Sequence, residues 1–237
     1  MNIDLSKYSF FKDHSIENLT LLENQGYSNR NYKFTYNKSK YLLRMFLLED
    51  RDRELEYKVQ TLAFENGIAA KPIVLDLENN LMICDFLEGD HKEKLQTEDI
   101  KNIAYLLNVL HRIEINHTTI DIEKEFKEKS QDVIEAFSYI DSCKKEIALC
   151  HNDLNPKNFI FSNKSLKLID WEFAATNDIY FDLASVSVEY NLDLREEAYL
   201  LAFYFGIEGW NKKKLDAYKV IYKALCKQWF KENTEPI

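Results

Sequence analysis

The sequence predicts an α+β chain with a small β-rich N-terminal lobe over 1–88 and a larger, mostly α-helical C-terminal lobe over 89–237. Three observations carry this reading. Residues 31–85 alternate short aromatic and aliphatic runs with turn-forming clusters, around one stretch of helical period. From Thr97 onward most apolar residues recur at helical spacing. Glycine and proline are scarce, five and three in 237 residues, with no repeat or low-complexity tract. The lobe boundary must therefore be a short hinge, placed at Asp85–Gly89.

Taken in order, "NYKFTYN" (31–37) and "KYLLRMFLL" (40–48) read as two strands turned by "NKSK". "DRELEYKVQTLAFENG" (52–67) sets Leu55, Val59, Leu62 and Ala63 at helical spacing and ends in Gly67, a helix C-cap. "KPIVLDLENNLMICDFLEG" reads as two further strands about the turn "ENN". In "TEDIKNIAYLLNVLHRI" (97–113), Thr97 is the expected N-cap, and Ile100, Ile103, Ala104, Leu107 and Leu110 share one face. Residues 122–142 suit a more polar helix. Residues 146–170 hold short apolar runs split by a polar loop, and helices are expected near 181–191, 194–206 and 211–233.

Composition narrows the function classes. Apolar residues make up 46% and charged residues 30%, as in soluble globular proteins. The net charge of −9 argues against nucleic acid or an anionic membrane as the main partner. The N-terminus lacks the basic-then-apolar order of a signal peptide. The most apolar stretch, "AYLLAFYFGI" (198–207), falls far short of the roughly 20 residues that cross a bilayer. Cys84, Cys143, Cys150 and Cys226 show no CxxC spacing and read as reduced cytoplasmic thiols, with a metal or disulfide site as the alternative.

The chemistry concentrates in "ALCHNDLNPKNFIF" (148–161) and "LKLIDWEF" (166–173). Phosphoryl transfer from a nucleotide needs a carboxylate to take a proton from the attacking hydroxyl, oxygen ligands for Mg²⁺, and a fixed cation near the phosphates. Asp153 and Asn158 sit five apart on one loop stiffened by Pro156, and Asp170 ends a following strand. Carboxylate and amide oxygens suit Mg²⁺, a hard cation. A hairpin "FIFSNKSLKLI" would bring Asn158 to Asp170. Singly, each residue also fits a turn former or a strand-end acid. The conjunction of D-x₄-N, the flanking strands and the second acid points to the phosphoryl-transfer reading. An arginine among the apolar residues of "YLLRMF", Arg44, needs a buried partner, which "DRELEYK" offers as Glu56 or, second, Glu54. Neither GxGxxG nor GxxxxGK[ST] is present.

"HNDLNPKNFI", "LKLIDWEFAATNDIYFDLA" and "GYSNRNYKF" resemble the choline/ethanolamine kinases, within the aminoglycoside-phosphotransferase group of bilobal, protein-kinase-like fold. The resemblance runs from about residue 25 to 190. It implies ATP and Mg²⁺ as cofactors. Asp153 would be the base, Asn158 and Asp170 the metal ligands, and Glu172 a substrate contact or an outer partner of the metal. Asn155 would line the acceptor pocket, His151 would orient the loop, and Asp182 would brace it. On the nucleotide side it implies Gly26, Ser28 and Asn29 in the phosphate loop, Arg44 with Glu56 as the fixed cation and its partner, and Asp85–Leu87 at the adenine. The acceptor's cation would meet Glu189, seven residues after Asp182 and so on nearly the same helix face. Aromatic walls suit a quaternary ammonium; Phe173, Tyr204, Trp210 and Trp229 are candidates, with Trp229 preferred. Relatives often extend beyond the position of Ile237. The expected acceptor is a small molecule, choline or another cationic alcohol, with ethanolamine, thiamine, a sugar or an aminoglycoside as alternatives. A nucleotide-binding pseudokinase is the reading from another class. The expected location is the cytoplasm, without membrane insertion.

Overall fold

The computed structural model describes residues 5–23, 28–48, 50–117, 119–163, 165–207 and 209–234. The chain divides into two compact units: Met1–Gly89 with Lys167–Glu172, and Asp90–Leu166 with Phe173–Ile237.

The first unit is an antiparallel sheet of order β1-β2-β3-β5-β4, with β1 at Glu17–Leu21, β2 at Asn29–Tyr36, β3 at Ser39–Phe46, β4 at Pro72–Asp76 and β5 at Leu81–Asp85. The β2–β3 hairpin turns through Asn37 and Lys38, both at positive φ (45° and 66°), the geometry of a tight turn that follows the twist of its strands. Alternation places Phe34, Tyr36, Tyr41 and Leu43 in one buried cluster with Leu81 and Ile83. Leu5 and Phe11 from the N-terminal segment complete that cluster. Tyr8 Oη and Lys7 Nζ donate to Asp76 Oδ2 at 2.5 and 2.8 Å, tying the segment to β4.

Helix α1 (Arg53–Glu65) starts at Asp52, whose carboxylate accepts from Leu55 N at 2.9 Å. It ends in a double closure: Gly67 N donates to Phe64 O and Ile68 N to Ala63 O, with Gly67 at φ 76°. That closure needs a left-handed residue, which is why glycine stands there. The chain returns to this point later: Leu168 N donates to Ile68 O at 2.8 Å, and Lys167 Nζ donates to Gly67 O.

The second unit holds α2 (Thr97–Leu110), α3 (Gln131–Asp141), α4 (Ile179–Glu189), α5 (Leu194–Phe205) and α6 (Lys212–Thr234). Helix α4 packs on α6, α2 on α5, and α3 on α6. Residues Ile179–Ser187 are all buried, so α4 is the central helix. β6 (Ile147–Cys150) pairs antiparallel with β9 (Ala175–Asp178); β7 is Phe159–Phe161, and β8 (Leu166–Leu168) leads into the 167–172 stretch of the first unit. Lys214, buried, ties α6 to Asp178 and Glu146 at 2.8 and 3.0 Å.

Two expectations are corrected. The N-cap of α2 is Gln96, not Thr97: Asp99 at the third helical position accepts from Gln96 N at 2.9 Å, and that reciprocal closure fixes the start one residue earlier. Residues 122–142 are not one helix. A short 3₁₀ turn (Ile122–Glu125) precedes α3, because Phe126 leaves the helical path and stacks edge-on against Phe137, with centroids 5.7 Å apart. The four cysteines are free thiols. Among the described residues no helix is long and apolar enough to cross a membrane.

Candidate active site

The first unit assembles a buried charge network. Arg44 of β3 sends Nη1 to Glu56 Oε1 at 2.6 Å and Nη2 to Asp170 Oδ1 at 2.5 Å. Burial opposes the charge on Arg44, but Glu56 and then Asp170 overcome it, so its pKa is raised and it stays a fixed cation. Glu54, the second partner considered, is exposed, and Glu56 is buried in its place. Arg53 donates to Glu56 Oε2 at 2.7 Å and to Glu172 Oε2 at 3.2 Å. Burial, and then the neighbouring Asp170 charge, push the Glu172 carboxyl above the ordinary carboxylate range.

Ser28 and Asn29 are buried beside this network. The Ser28 hydroxyl bonds Glu172. With its amide oriented to satisfy both ends, Asn29 accepts from Arg44 Nη2 at 2.7 Å and donates to Ser28 O at 3.0 Å. Gly26, with Tyr27, lies outside the described residues. Asp85 closes β5, where its N–H donates to Lys71 O at 2.9 Å, and burial raises its pKa. Leu87 comes two residues later, half-buried, in the stretch that leaves the sheet.

Asp170 has one oxygen on Arg44, and its side chain is 33% exposed, so the second oxygen has an open face. Its backbone sits at φ 66°. A non-glycine residue there is strained by about 1–2 kcal/mol. Such strain persists only where the surroundings hold it.

The second unit builds the loop of Asp153. Asp182, fully buried on α4, accepts from His151 N and Asn152 N, each at 2.8 Å. His111 Nε2 lies 3.2 Å from the same carboxylate, and His111 Nδ1 lies 2.7 Å from Tyr204 Oη. Asn152, at φ 65°, is locked by its side chain: Nδ2 donates to Phe173 O at 2.9 Å, and Oδ1 accepts from Asn177 Nδ2 at 2.8 Å. The Asp153 carboxylate is then held from two sides. Asn155 Nδ2 donates to Oδ1 and Oδ2 at 3.1 and 3.2 Å, and Asn158 Nδ2 donates to Oδ2 at 2.9 Å. Asn155 also caps the Pro156–Asn158 turn through Lys157 N. With its amide nitrogen committed to Asp153, the amide oxygen is the atom of Asn158 that could meet a cation.

Glu189, at the end of α4, accepts from Tyr222 Oη of α6 at 2.9 Å. Burial raises its pKa, and the Asp153 charge adds to the rise. The same Asp153 charge reaches Tyr222 and Cys226, and burial pushes the Cys226 thiol up to about 11. Asp153 and Glu189 thus share one electrostatic neighbourhood with Tyr222. Trp229 stands two helical turns beyond Tyr222, on nearly the same face of α6, half-exposed and 5.2 Å from the Phe230 centroid.

Sequence reasoning missed Arg53, Tyr222 and the His111–Tyr204 pair. Arg53 lies inside "DRELEYK", where an arginine among acids reads as a surface charge. Tyr222 carries no signal, because a tyrosine at helical spacing reads as core.

The Choline/ethanolamine kinase family model matches residues 114–214. Protein LicA of Haemophilus influenzae is 24% identical over 252 aligned positions, covering 95% of this chain and 73% of that protein. A thiamine kinase of Escherichia coli is 28% identical over 47% of this chain and 44% of its own length. Among solved structures, choline kinase LicA from Streptococcus pneumoniae superposes with a TM-score of 0.74 at 21% identity, covering 94% of this chain and 88% of that one. The protein-kinase-like α+β fold read from the sequence is therefore the fold of this chain, and the resemblance to the choline/ethanolamine kinases holds.

Proposed function

From a fold shared with a solved choline kinase, and a central segment that matches the choline/ethanolamine kinases, we propose that this protein is a small-molecule kinase. It transfers the γ-phosphoryl group of ATP, with Mg²⁺, to the hydroxyl of choline or a related cationic amino alcohol. The observation that carries this is the Asp153 carboxylate, fixed by Asn155 and Asn158, in the electrostatic neighbourhood of the half-buried Glu189.

In this reading Asp153 takes the proton of the acceptor hydroxyl as its oxygen attacks the γ-phosphorus and the bond to the ADP oxygen breaks. The Asn158 amide oxygen and the open oxygen of Asp170 would hold Mg²⁺, a donor set of hard oxygens that fits the ion. The bound ion neutralises charge on the phosphates. Arg44, kept in place by Glu56, supplies the fixed cation on the nucleotide side. Ser28 and Asn29 set the strand that follows the phosphate loop, and Asp85 and Leu87 border the adenine. Residues 1–88, joined by the 167–172 stretch, then form the nucleotide lobe and the rest of 89–237 the catalytic and acceptor lobe, in a cytoplasmic enzyme. Glu189 receives the acceptor's cation, with Asn155 and Trp229 as further acceptor-side contacts and Glu172 as an outer partner of the metal.

A cationic alcohol other than choline is the second reading, and the likeness to a thiamine kinase favours it. Thiamine also joins a permanent cation to a primary hydroxyl. The deciding experiment follows ATP consumption with Mg²⁺ over choline, ethanolamine, thiamine, kanamycin and simple sugars. Turnover on choline supports the first reading, and turnover on thiamine alone supports the second. Turnover on sugars alone removes Glu189 as the cation site. ATP binding without turnover on any acceptor sinks the kinase reading in favour of a nucleotide-binding module.

A further inference from the structure

Arg53 occupies an unfavourable place for a cation. It is the first residue of α1, where the helix dipole favours acids, and it is only 6% exposed. A buried guanidinium is tolerated only when carboxylates compensate it. Its Nη1 contacts Glu56 Oε2 at 2.7 Å and Glu172 Oε2 at 3.2 Å. The guanidinium carbon stacks 4.1 Å over the Phe46 ring. Nε and Nη2 have no hydrogen-bond partner among the described residues, so the two carboxylates and the ring alone fix the side chain.

These contacts close a ring. Asp170 pairs with Arg44, Arg44 with Glu56, Glu56 with Arg53, and Arg53 with Glu172. Trp171 joins Glu172 back to Asp170 through the backbone. Glu56 shares its two oxygens between the two arginines. The strained backbone of Asp170, at φ 66°, is thereby gripped on both sides: by Arg44 at Asp170 itself and by Arg53 two residues on. Without Arg53 the ion pair to Glu172 is lost, and the Ser28 hydroxyl remains as a weaker, uncharged hold. Glu172, beside the Asp170 carboxylate and without its own ion pair, would then be drawn toward the ion that Asp170 is proposed to hold.

We propose that Arg53 is a positioning residue for metal–nucleotide binding: by closing this ring it fixes residues 170–172 so that Asp170, and not Glu172, faces the metal. The inference rests on the kinase reading above. It also says why an arginine is required. Lysine keeps the charge but cannot spread it over a planar group that stacks on Phe46 while it meets two carboxylates.

The test measures Mn²⁺–nucleotide binding by calorimetry without acceptor, then the acceptor KM by steady-state kinetics, for the wild type, Arg53→Met and Arg53→Lys. Wild-type protein that fails to bind Mn²⁺–nucleotide defeats the kinase reading and this inference with it. With wild-type binding intact, Arg53→Met is expected to weaken Mn²⁺–nucleotide binding about tenfold or more while the acceptor KM changes less than about twofold, with Arg53→Lys between. A folded Arg53→Met that binds as the wild type does, or that raises the acceptor KM by the same factor, overturns the inference alone. If Arg53→Met does not fold, Arg53→Lys is combined with Glu172→Gln. A lysine effect that shrinks when Glu172→Gln is also present supports the ring, and an undiminished effect overturns it.

Discussion

At the scale of single residues, Asp153 and Glu189 make separable demands. Asp153 is held by two asparagine side chains that would remain without it, and it is half-buried, so its removal leaves no large cavity. Asp153→Ala is expected to lower kcat by roughly 10²–10⁴ with little change in Tm. Turnover within a few-fold of wild type would remove Asp153 as the base. Glu189 couples function to stability with opposite signs. Burial raises its folded-state pKa, so the unfolded chain gives up this proton first as pH rises. The stability it contributes is full below the ordinary glutamate range and is lost as pH rises through the raised value. Binding a cation needs the ionised form, so kcat/KM for a cationic acceptor should rise across that same interval. Glu189→Gln should raise the acceptor KM about tenfold or more, abolish that limb of the pH profile, and raise Tm at neutral pH while leaving it unchanged in acid. Unchanged KM and pH profile would remove Glu189 from the acceptor site. At this scale the Arg44–Glu56 pair was legible, because an arginine in an apolar run requires an acid on the next helix. The Arg44–Asp170 pair was not, because 126 residues separate the partners and no local pattern encodes the return.

At the scale of elements, the C-terminus of α1 does two jobs. Gly67 makes the left-handed closure, and residues 67–69 receive the segment that carries Asp170: Lys167 on Gly67 O, Leu168 N on Ile68 O, and a parallel bridge from Ala69 to Leu168. A Cβ at Gly67 meets no atom within 4 Å, so Gly67→Ala tests backbone strain alone. It is expected to cost about 1–2 kcal/mol in denaturant unfolding. Because the strained turn also presents the carbonyls that seat residues 167–168, amide exchange at Leu168 should quicken along with that at Ile68. An unchanged Leu168 would separate the two jobs. Elements were legible where burial alternates, as in β2 and β3, or recurs at helical spacing, as in α2. The edge strand β1 was not legible: Leu19 and Leu21 alternate with Asn18 and Thr20, but the run is short, its pairing is irregular between Glu17 and Thr20, and all five residues are exposed. Strand β9 failed for the converse reason: "ATND" is buried throughout, and its polar side chains find partners on other segments, Thr176 on His117 O, Asn177 on Asn152 and Asp178 on Lys214, without any apolar rhythm.

At the scale of the whole molecule, the chain does not divide at one point. Residues 167–172 belong to the first unit although they follow 77 residues of the second, from Asp90 to Leu166. No composition shift marks the stretch, and "LKLIDWEF" reads equally well as a strand of either unit. The charge network sets the cost of cutting this stretch away. In a fragment of residues 1–89, Arg44 and Arg53 keep only Glu56 of the three carboxylates that pair with them, since Asp170 and Glu172 lie on the other piece. Two guanidiniums facing one carboxylate at buried positions leave an uncompensated charge, which costs several kcal/mol. That is comparable to the whole stability of a domain this small. The aromatic cluster around Phe34 and Tyr41 still favours compaction, so the fragment is expected to collapse without a cooperative thermal transition. Co-expression of 1–89 with 90–237 should restore that transition, because the second piece brings back Asp170 and Glu172. Charge-neutral substitution gives an independent check: Arg53→Met, which leaves Arg44 alone with Glu56, should improve the isolated 1–89 fragment while it harms the full chain. A wild-type 1–89 fragment that melts cooperatively on its own would show that the 167–172 stretch serves the chemistry and not the fold.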